Sequence, residues 1–292
     1  MACRAPLSDV WQMNIDRETA YAKINLALHV RRRRADGYHD LESLFVFAAE
    51  GDLLTLDGDG DWSLALEGPF AGALSAGTDN LVLRAGRLLA ERFGISQGAQ
   101  LRLVKNLPVA SGIGGGSADA AAALRLLSRR WGILADDPWL AEIAAELGAD
   151  VPACLASVPL RGEGVGTSLT TIEGRAFGGL PLLLVNPGIA LGTSHVFARW
   201  DGIDHGALCT GDPLAVALAG RNDLTSAAVD LVPEISDILV LLETLSGLIL
   251  ARMSGSGATC FALFDSTAAR DVGAAMISLA MPTAWLLATE LR

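Results

Sequence analysis

The residues best suited to chemistry begin with the stretch "LPVASGIGGGSADAAAAL", residues 107 to 124, which sets Gly112, Gly114, Gly115 and Gly116 against an alanine-rich run. Glycine frees the backbone and alanine is the strongest helix former, so a permissive loop abuts a stiff helix with Ser117 near its start. A helix N-terminus offers unpaired N–H groups and partial positive charge, and it can hold phosphate without a cationic side chain. A tolerant surface connection would look the same. Two phosphate motifs fail on inspection. A Walker loop needs a Gly-Lys pair, which occurs nowhere in the chain, and a dinucleotide fingerprint needs glycine where Ser117 stands. On the glycines alone, cradle and connection stand level. A second glycine turn, "SGSGAT" at residues 254 to 259, tilts them slightly towards the cradle, although alone it reads as a tight turn before a strand.

Of the 22 basic residues only Lys23 and Lys105 are lysines. A compact ammonium fits where a planar guanidinium does not, and its pKa can shift, so each lysine is a candidate for a task arginine cannot do. The alternative is chance survival in an arginine-rich composition. Asp150 follows Gly148 and precedes Pro152, which suits the cap of a short helix as well as a functional carboxylate. His39, in "DGYHD", reads as a turn residue and Tyr38 as a half-buried aromatic. The block Arg31 to Arg34 reads as a solvated turn.

With 292 residues, 51% hydrophobic and 19% charged, the chain is globular and large enough for one big domain or two ordinary ones. A net charge of −11 argues against a general nucleic-acid or anionic-membrane surface. Cys3, Cys154, Cys209 and Cys260 form no C-x-x-C pair, which suits neither a zinc site nor a disulfide framework and fits reduced thiols. The opening "MACRAPLSDVWQMNIDRETA" lacks an apolar core of signal-peptide length, and "PLLLV" and "ILVLLETLSGLIL" are too short or too interrupted to span a bilayer. A soluble cytoplasmic protein is expected.

The elements that must position these residues alternate. "ETAYAKINLALHV" and "HDLESLFVFAAE" read as strands, and "DLLTLDGDGDWSLALEG" as a hairpin around a Gly/Asp turn. Its "DGDGDW" is no calcium loop, since Trp62 stands where glycine is needed and Gly68 where the bidentate glutamate is needed. "TDNLVLRAGRLLAERFG" is helical, with Asp79 or Thr78 as cap and Gly94 as stop. "AQLRLVKNLP" is a strand leading into the glycine loop; "SADAAAALRLLSRRWG" and "DPWLAEIAAELG" are helices. The glycine-rich "RGEGVGTSL" marks a boundary near residue 160, giving domains over 1–160 and 161–292, and the remainder alternates strands and helices. The class is mixed α+β.

Taken together and in order, "AYAKINLALHV" with "ADGYHDLESLF", "LPVASGIGGGSADAAAAL", "GADVPACL" and "MSGSGATCFALF" resemble the GHMP small-molecule kinases. The glycine loop identifies only the superfamily; the pair "AKINL" and "DGYH" is the specific part. The resemblance implies a two-domain GHMP kinase fold, with an N-terminal domain like ribosomal protein S5 domain 2 and a ferredoxin-like C-terminal domain. It implies ATP-dependent phosphorylation of the 2-hydroxyl of 4-diphosphocytidyl-2-C-methyl-D-erythritol, in isoprenoid precursor synthesis. Another GHMP kinase, or a non-catalytic nucleotide-binding regulator of the same fold, is the alternative.

By position, the resemblance makes Asp150 and Lys23 catalytic. It puts Asn25 near the substrate, and makes Tyr38 and His39 the cytosine-recognition pair with Phe197 on the base's other face. Asn80 and Lys105 fall on the adenine side, and Pro108, Gly112, Gly114, Gly115, Gly116 and Ser117 under the phosphates. Relatives often carry a second serine where Ala118 stands. Magnesium is expected to be held mainly through phosphate, with no protein ligand assigned and Ser117 a candidate contact for phosphate or magnesium. Partners are the cytidyl substrate and ATP, with no nucleic acid and no membrane, and the protein is expected as a monomer or weak homodimer.

Overall fold

The computed structural model describes residues 16–172 and 177–292, so Cys3 and most of the segment read for a targeting signal lie outside it. The chain forms two compact units, neither contiguous in sequence. Of the described residues, the first takes those up to Ala20, Gly51–Leu107 and Gly116–Leu155; the second takes those within Tyr21–Glu50, Pro108–Gly115 and Ala156–Arg292. Two long strands, β1 (Arg17–Arg33) and β2 (His39–Gly60), contribute residues to both.

In the first unit β2 does not pair with β3 (Ser63–Glu67) as a hairpin. Strand β4 (Gly98–Val104) lies between them, antiparallel to β2 with Leu53 opposite Val104, and parallel to β3 with Ser63 opposite Gln100. The alternating pattern was read correctly as strands, but alternation does not name the partner. Leu101 and Leu103 of β4 are buried, and a central strand satisfies both their packing and its own two edges. Trp62, in the turn misfit for calcium, packs edge-on against Trp131 with ring centroids 6.3 Å apart.

Four helices follow: α1 (Leu81–Arg92), α2 (Gly115–Trp131), α3 (Pro138–Leu147) and α4 (Val151–Ala156). The cap of α1 is Asn80 rather than Asp79 or Thr78, its Oδ1 accepting from Val82 N at 2.9 Å. Helix α2 buries Ala118, Ala120–Ala123, Leu124, Leu126 and Leu127, so its alanine run serves close burial on several sides.

In the second unit β2 pairs antiparallel with β5 (Leu160–Gly164), which forms a hairpin with β6 (Ser168–Thr171) over the glycine-rich stretch. Strand β7 (Pro181–Asn186) is followed by α5 (Thr193–Phe197), α6 (Pro213–Ala219), α7 (Thr225–Val229) and α8 (Glu234–Glu243). Then come β8 (Leu248–Met253), β9 (Cys260–Phe264), α9 (Thr267–Ala280) and β10 (Trp285–Glu290). These four strands form an antiparallel sheet in the order β10-β7-β9-β8. With helices between the first and second strands and between the third and fourth, that order is the ferredoxin-like topology. Its core joins Leu183, Val185, Ile235, Ile238, Met253 and Phe264. No described helix is long and apolar enough to cross a membrane.

Candidate active site

The glycine loop bridges β4 and α2, and its residues Pro108–Gly115 belong to the second unit. Its backbone is left-handed at every second residue: φ is +51° at Ala110, +79° at Gly112 and +64° at Gly114. Alternation of that kind turns successive N–H groups towards one side, as in an anion-binding nest. The hydrogen bonds agree with this. The carbonyls of Ala110, Ser111, Gly112 and Ile113 accept from Leu191 N, Thr259 N, Ser254 Oγ and Lys23 N at 3.0 to 3.1 Å. Among the described residues, no N–H group from Val109 to Gly114 has an acceptor in the protein.

Glycine is required at Gly112 by close approach as well as by φ, and at Gly114 by φ, with a tight neighbour beside it. A Cβ on Gly112 would meet Ser254 O at 2.4 Å, so the loop packs directly on the second glycine turn. A Cβ on Gly114 would meet side-chain carbons of Lys23 at 3.2 and 3.3 Å. Ser254 Oγ also accepts from Asn25 N at 3.1 Å, and Asn222 Nδ2 donates to the carbonyls of Met253 and Gly255, both at 2.8 Å. The sequence reading found the second turn but missed Ser254 and Asn222, which fix it.

Lys23 and Asn25 stand two apart on β1 and so share a face. Both are buried. Lys23 Nζ donates to Asn25 Oδ1 at 3.3 Å and lies 4.7 Å from the centroid of the Phe45 ring. Asn25 Nδ2 donates to Ser43 Oγ at 2.7 Å, which fixes the amide's orientation towards the ammonium. The loop, Lys23 and Asn25 therefore form one packed cluster within the second unit.

Tyr38 and His39 lie at the end of the β1–β2 turn. Tyr38 is not half-buried but 63% exposed, and its N–H donates to Asp36 Oδ1 at 3.1 Å. The His39 ring lies 4.8 Å from Phe197, tilted by 35°, so the structure brings these two together. Trp200, which sequence reading passed over, meets the same imidazole edge-on at 5.5 Å and 87°. Burial, and secondarily the charge of Arg33, hold the His39 pKa below its ordinary value. The arginine block is solvated but is not a turn: Arg31–Arg33 end β1 and Arg34 follows it, Arg31 pairing with Glu42 and Asp204, and Arg32 and Arg34 with Asp40.

The remaining expected residues belong to the first unit. Gly116 and Ser117 occupy the first turn of α2, Gly116 exposed and Ser117 half-buried. Asp150 immediately precedes α4, is half-buried, and its carbonyl accepts from Cys154 N at 3.1 Å. The amide of Asn80 is engaged at both ends, its Nδ2 donating to Ser75 O at 2.9 Å.

Lys105 requires a correction. Its side chain is 2% exposed and its ammonium donates to Asp52 and, at 2.7 Å, to Asp119. An ammonium closed between two carboxylates is not available to a nucleotide on the adenine side. Asp52 also accepts from the N–H groups of Asn106 and Leu107 at 2.6 and 2.8 Å, so the triad ties the end of β4 to α2. Burial works against the Lys105 charge, but the two carboxylates outweigh it and raise its pKa. Burial, with Asp52 adding to it and Lys105 opposing, pushes Asp119 up to about 7. Asp119 is the signal that was overlooked: a charge in a buried alanine run needs a partner. Among the described residues no group of three or more His, Cys, Asp or Glu is placed to hold a metal ion.

The models of the GHMP kinases N terminal domain and the GHMP kinases C terminal domain match residues 80–157 and 206–282. The 4-diphosphocytidyl-2-C-methyl-D-erythritol kinase of Rhizorhabdus wittichii is 56% identical over 94% of both chains. That of Sphingopyxis alaskensis is 50% identical over 94% of this chain and 98% of its own. A crystal structure of 4-(cytidine 5'-diphospho)-2C-methyl-D-erythritol kinase superposes with a TM-score of 0.78 at 31% identity, over 94% of this chain and 99% of that one. With the second unit's sheet and the glycine loop as its markers, the chain belongs to the GHMP kinases, in the family of the 4-diphosphocytidyl-2-C-methyl-D-erythritol kinases.

Proposed function

We propose that this chain transfers the γ-phosphoryl group of ATP to the 2-hydroxyl of 4-diphosphocytidyl-2-C-methyl-D-erythritol. The observation that carries the kinase chemistry is the loop from Val109 to Gly114: the carbonyls of Ala110, Ser111, Gly112 and Ile113 are bonded within the protein, while its amides have no acceptor among the described residues. Phosphates are the natural complement of such a nest.

Phosphoryl transfer depends on position and charge neutralisation more than on covalent chemistry. In this reading the Asp150 carboxylate takes the proton of the alcohol, and the Lys23 ammonium, aimed by Asn25, stabilises the charge that develops. Tyr38 stacks on the cytosine ring, Phe197 covers its other face, and His39 hydrogen-bonds the base edge. Asn80 lies on the adenine side, and Pro108, Gly112, Gly114, Gly115, Gly116 and Ser117 line the phosphates. Magnesium would be held mainly through phosphate oxygens, with the Ser117 hydroxyl at the start of α2 a candidate contact for phosphate or for the ion. It neutralises phosphate charge when bound. The protein works in the cytoplasm as a monomer or weak homodimer, on small molecules alone.

Mass spectrometry after incubation with ATP and a panel of alcohols tests this reading. The cytidyl substrate should gain one phosphoryl group, with ADP released in equal amount. Phosphorylation of homoserine or mevalonate in its place, or ATP binding without transfer, would overturn it.

A further inference from the structure

His39 sits at the start of β2, next to a turn, where an imidazole would ordinarily sample several ring orientations, since its terminal torsion is broad. Here two rings restrict it. Phe197 lies against it at 4.8 Å and 35°, and Trp200 stands perpendicular to it at 5.5 Å. Both aromatic residues pack against the second unit's core beside the fully buried Val196, and Trp200 N donates to Phe197 O at 3.3 Å, so the pair is rigidly mounted. The Trp200 indole N–H is itself buried and, among the described residues, has no hydrogen-bond acceptor. The contact between the indole and the imidazole is thus one of rings, with no hydrogen bond from the indole N–H.

We propose that Trp200 is a positioning residue for base recognition: its ring fixes the plane of the His39 imidazole, so that the imidazole meets the edge of the substrate's pyrimidine in one orientation. The proposal rests on the cytidyl reading of the substrate. A cytosine edge presents an amino donor beside ring-nitrogen and carbonyl acceptors. A neutral imidazole carries one donor and one acceptor at fixed angles, and hydrogen bonds weaken steeply as those angles are lost. Freeing the ring therefore weakens discrimination at the base while leaving the phosphate loop untouched. Arg33 is the charged group acting on His39; Phe197 and Trp200 on the other side carry none.

Trp200→Ala and Trp200→Phe in the full-length protein test this, by kinetics and by NMR titration of the His39 ring without substrate. Trp200→Ala should raise KM for the cytidyl substrate about three- to tenfold, the usual worth of an aromatic pair, with KM for ATP unmoved and kcat falling less than KM rises. The His39 midpoint should move up towards the ordinary imidazole value. Trp200→Phe should restore most of both, because the ring and not the N–H does the work. Unchanged KM and midpoint in Trp200→Ala, or a phenylalanine variant as impaired as the alanine one, would overturn the proposal. If Trp200→Ala does not fold, Trp200→Leu carries the same readouts. Should the wild type fail to phosphorylate the cytidyl compound, the functional reading falls, while the His39 titration still decides whether Trp200 holds the imidazole.

Discussion

Lys23 in the second unit and Lys105 in the first are the chain's two lysines, and both are buried, 4% and 1% exposed. Burial therefore does not separate them; their surroundings do. Lys105 is enclosed by Asp52 and Asp119, and this triad joins a strand end to a helix inside its own unit. The partners of Lys23 include an amide oxygen and a ring face, and a glycine loop with unbonded amides lies against its stem. One lysine completes a structural ion cluster, and on the proposed function the other serves the transferred phosphoryl group. A compact ammonium is needed in both places, for different reasons.

That contrast can be broken at several points. The largest effect belongs to Asp150→Asn. Asparagine caps a helix as well as aspartate does, so stability should hold, while turnover should fall by roughly 10²–10⁴-fold, as expected on losing a general base. Normal turnover in a steady-state assay would remove Asp150 from the mechanism. Lys105→Met should behave in the opposite sense, leaving two buried carboxylates unmatched and costing about 3–5 kcal/mol in a denaturant melt. A stable Lys105→Met protein would mean that the triad is not structural. Tyr38→Ala comes next: loss of base stacking, worth roughly 1–3 kcal/mol, should raise KM for the cytidyl substrate about tenfold or more and spare KM for ATP.

The smallest effect is a pH dependence in the first unit. Asp119 keeps a proton to about pH 7 in the folded protein, against 3.8 as its ordinary value. The folded state thus binds a proton the unfolded chain has released, and this group's contribution to stability falls as pH rises between those two values. Asp119→Asn mimics the protonated form. Thermal melts across that window should show wild type losing stability relative to the variant as pH increases, and a constant difference would reject the assignment.

Much of this was legible in the sequence, for identifiable reasons. The glycine loop, the alanine helix and the apolar runs of β7, β8 and β9 announce themselves through local backbone preference and period, whereas β10 does not. What local pattern cannot give is the partner. The run from Asp52 to Gly68 alternates as a hairpin would, yet β4 separates its two strands, because pairing is decided by which strand best fills the middle. Asn80 caps α1 where Thr78 and Asp79 are equally good by type. The resemblance puts Lys105 on the adenine side, and local pattern cannot reveal its partners, Asp52 and Asp119, which lie 53 and 14 residues away. The nest was half legible: its glycines are visible, but Ala110 takes a left-handed φ that only the surrounding contacts impose. Trp200 carries no motif at all, and only its packing on His39 draws notice.

The central claim is that Lys23 is buried for chemistry and Lys105 for structure, and turnover of Lys23→Arg tests it most directly. The substitution keeps the charge and changes only shape, reach and pKa, in a chain whose other basic residues are nearly all arginine. In a protein that melts with the wild type and still binds ATP, turnover of the cytidyl substrate should be nearly abolished. Near-normal turnover in that folded variant would contradict the account.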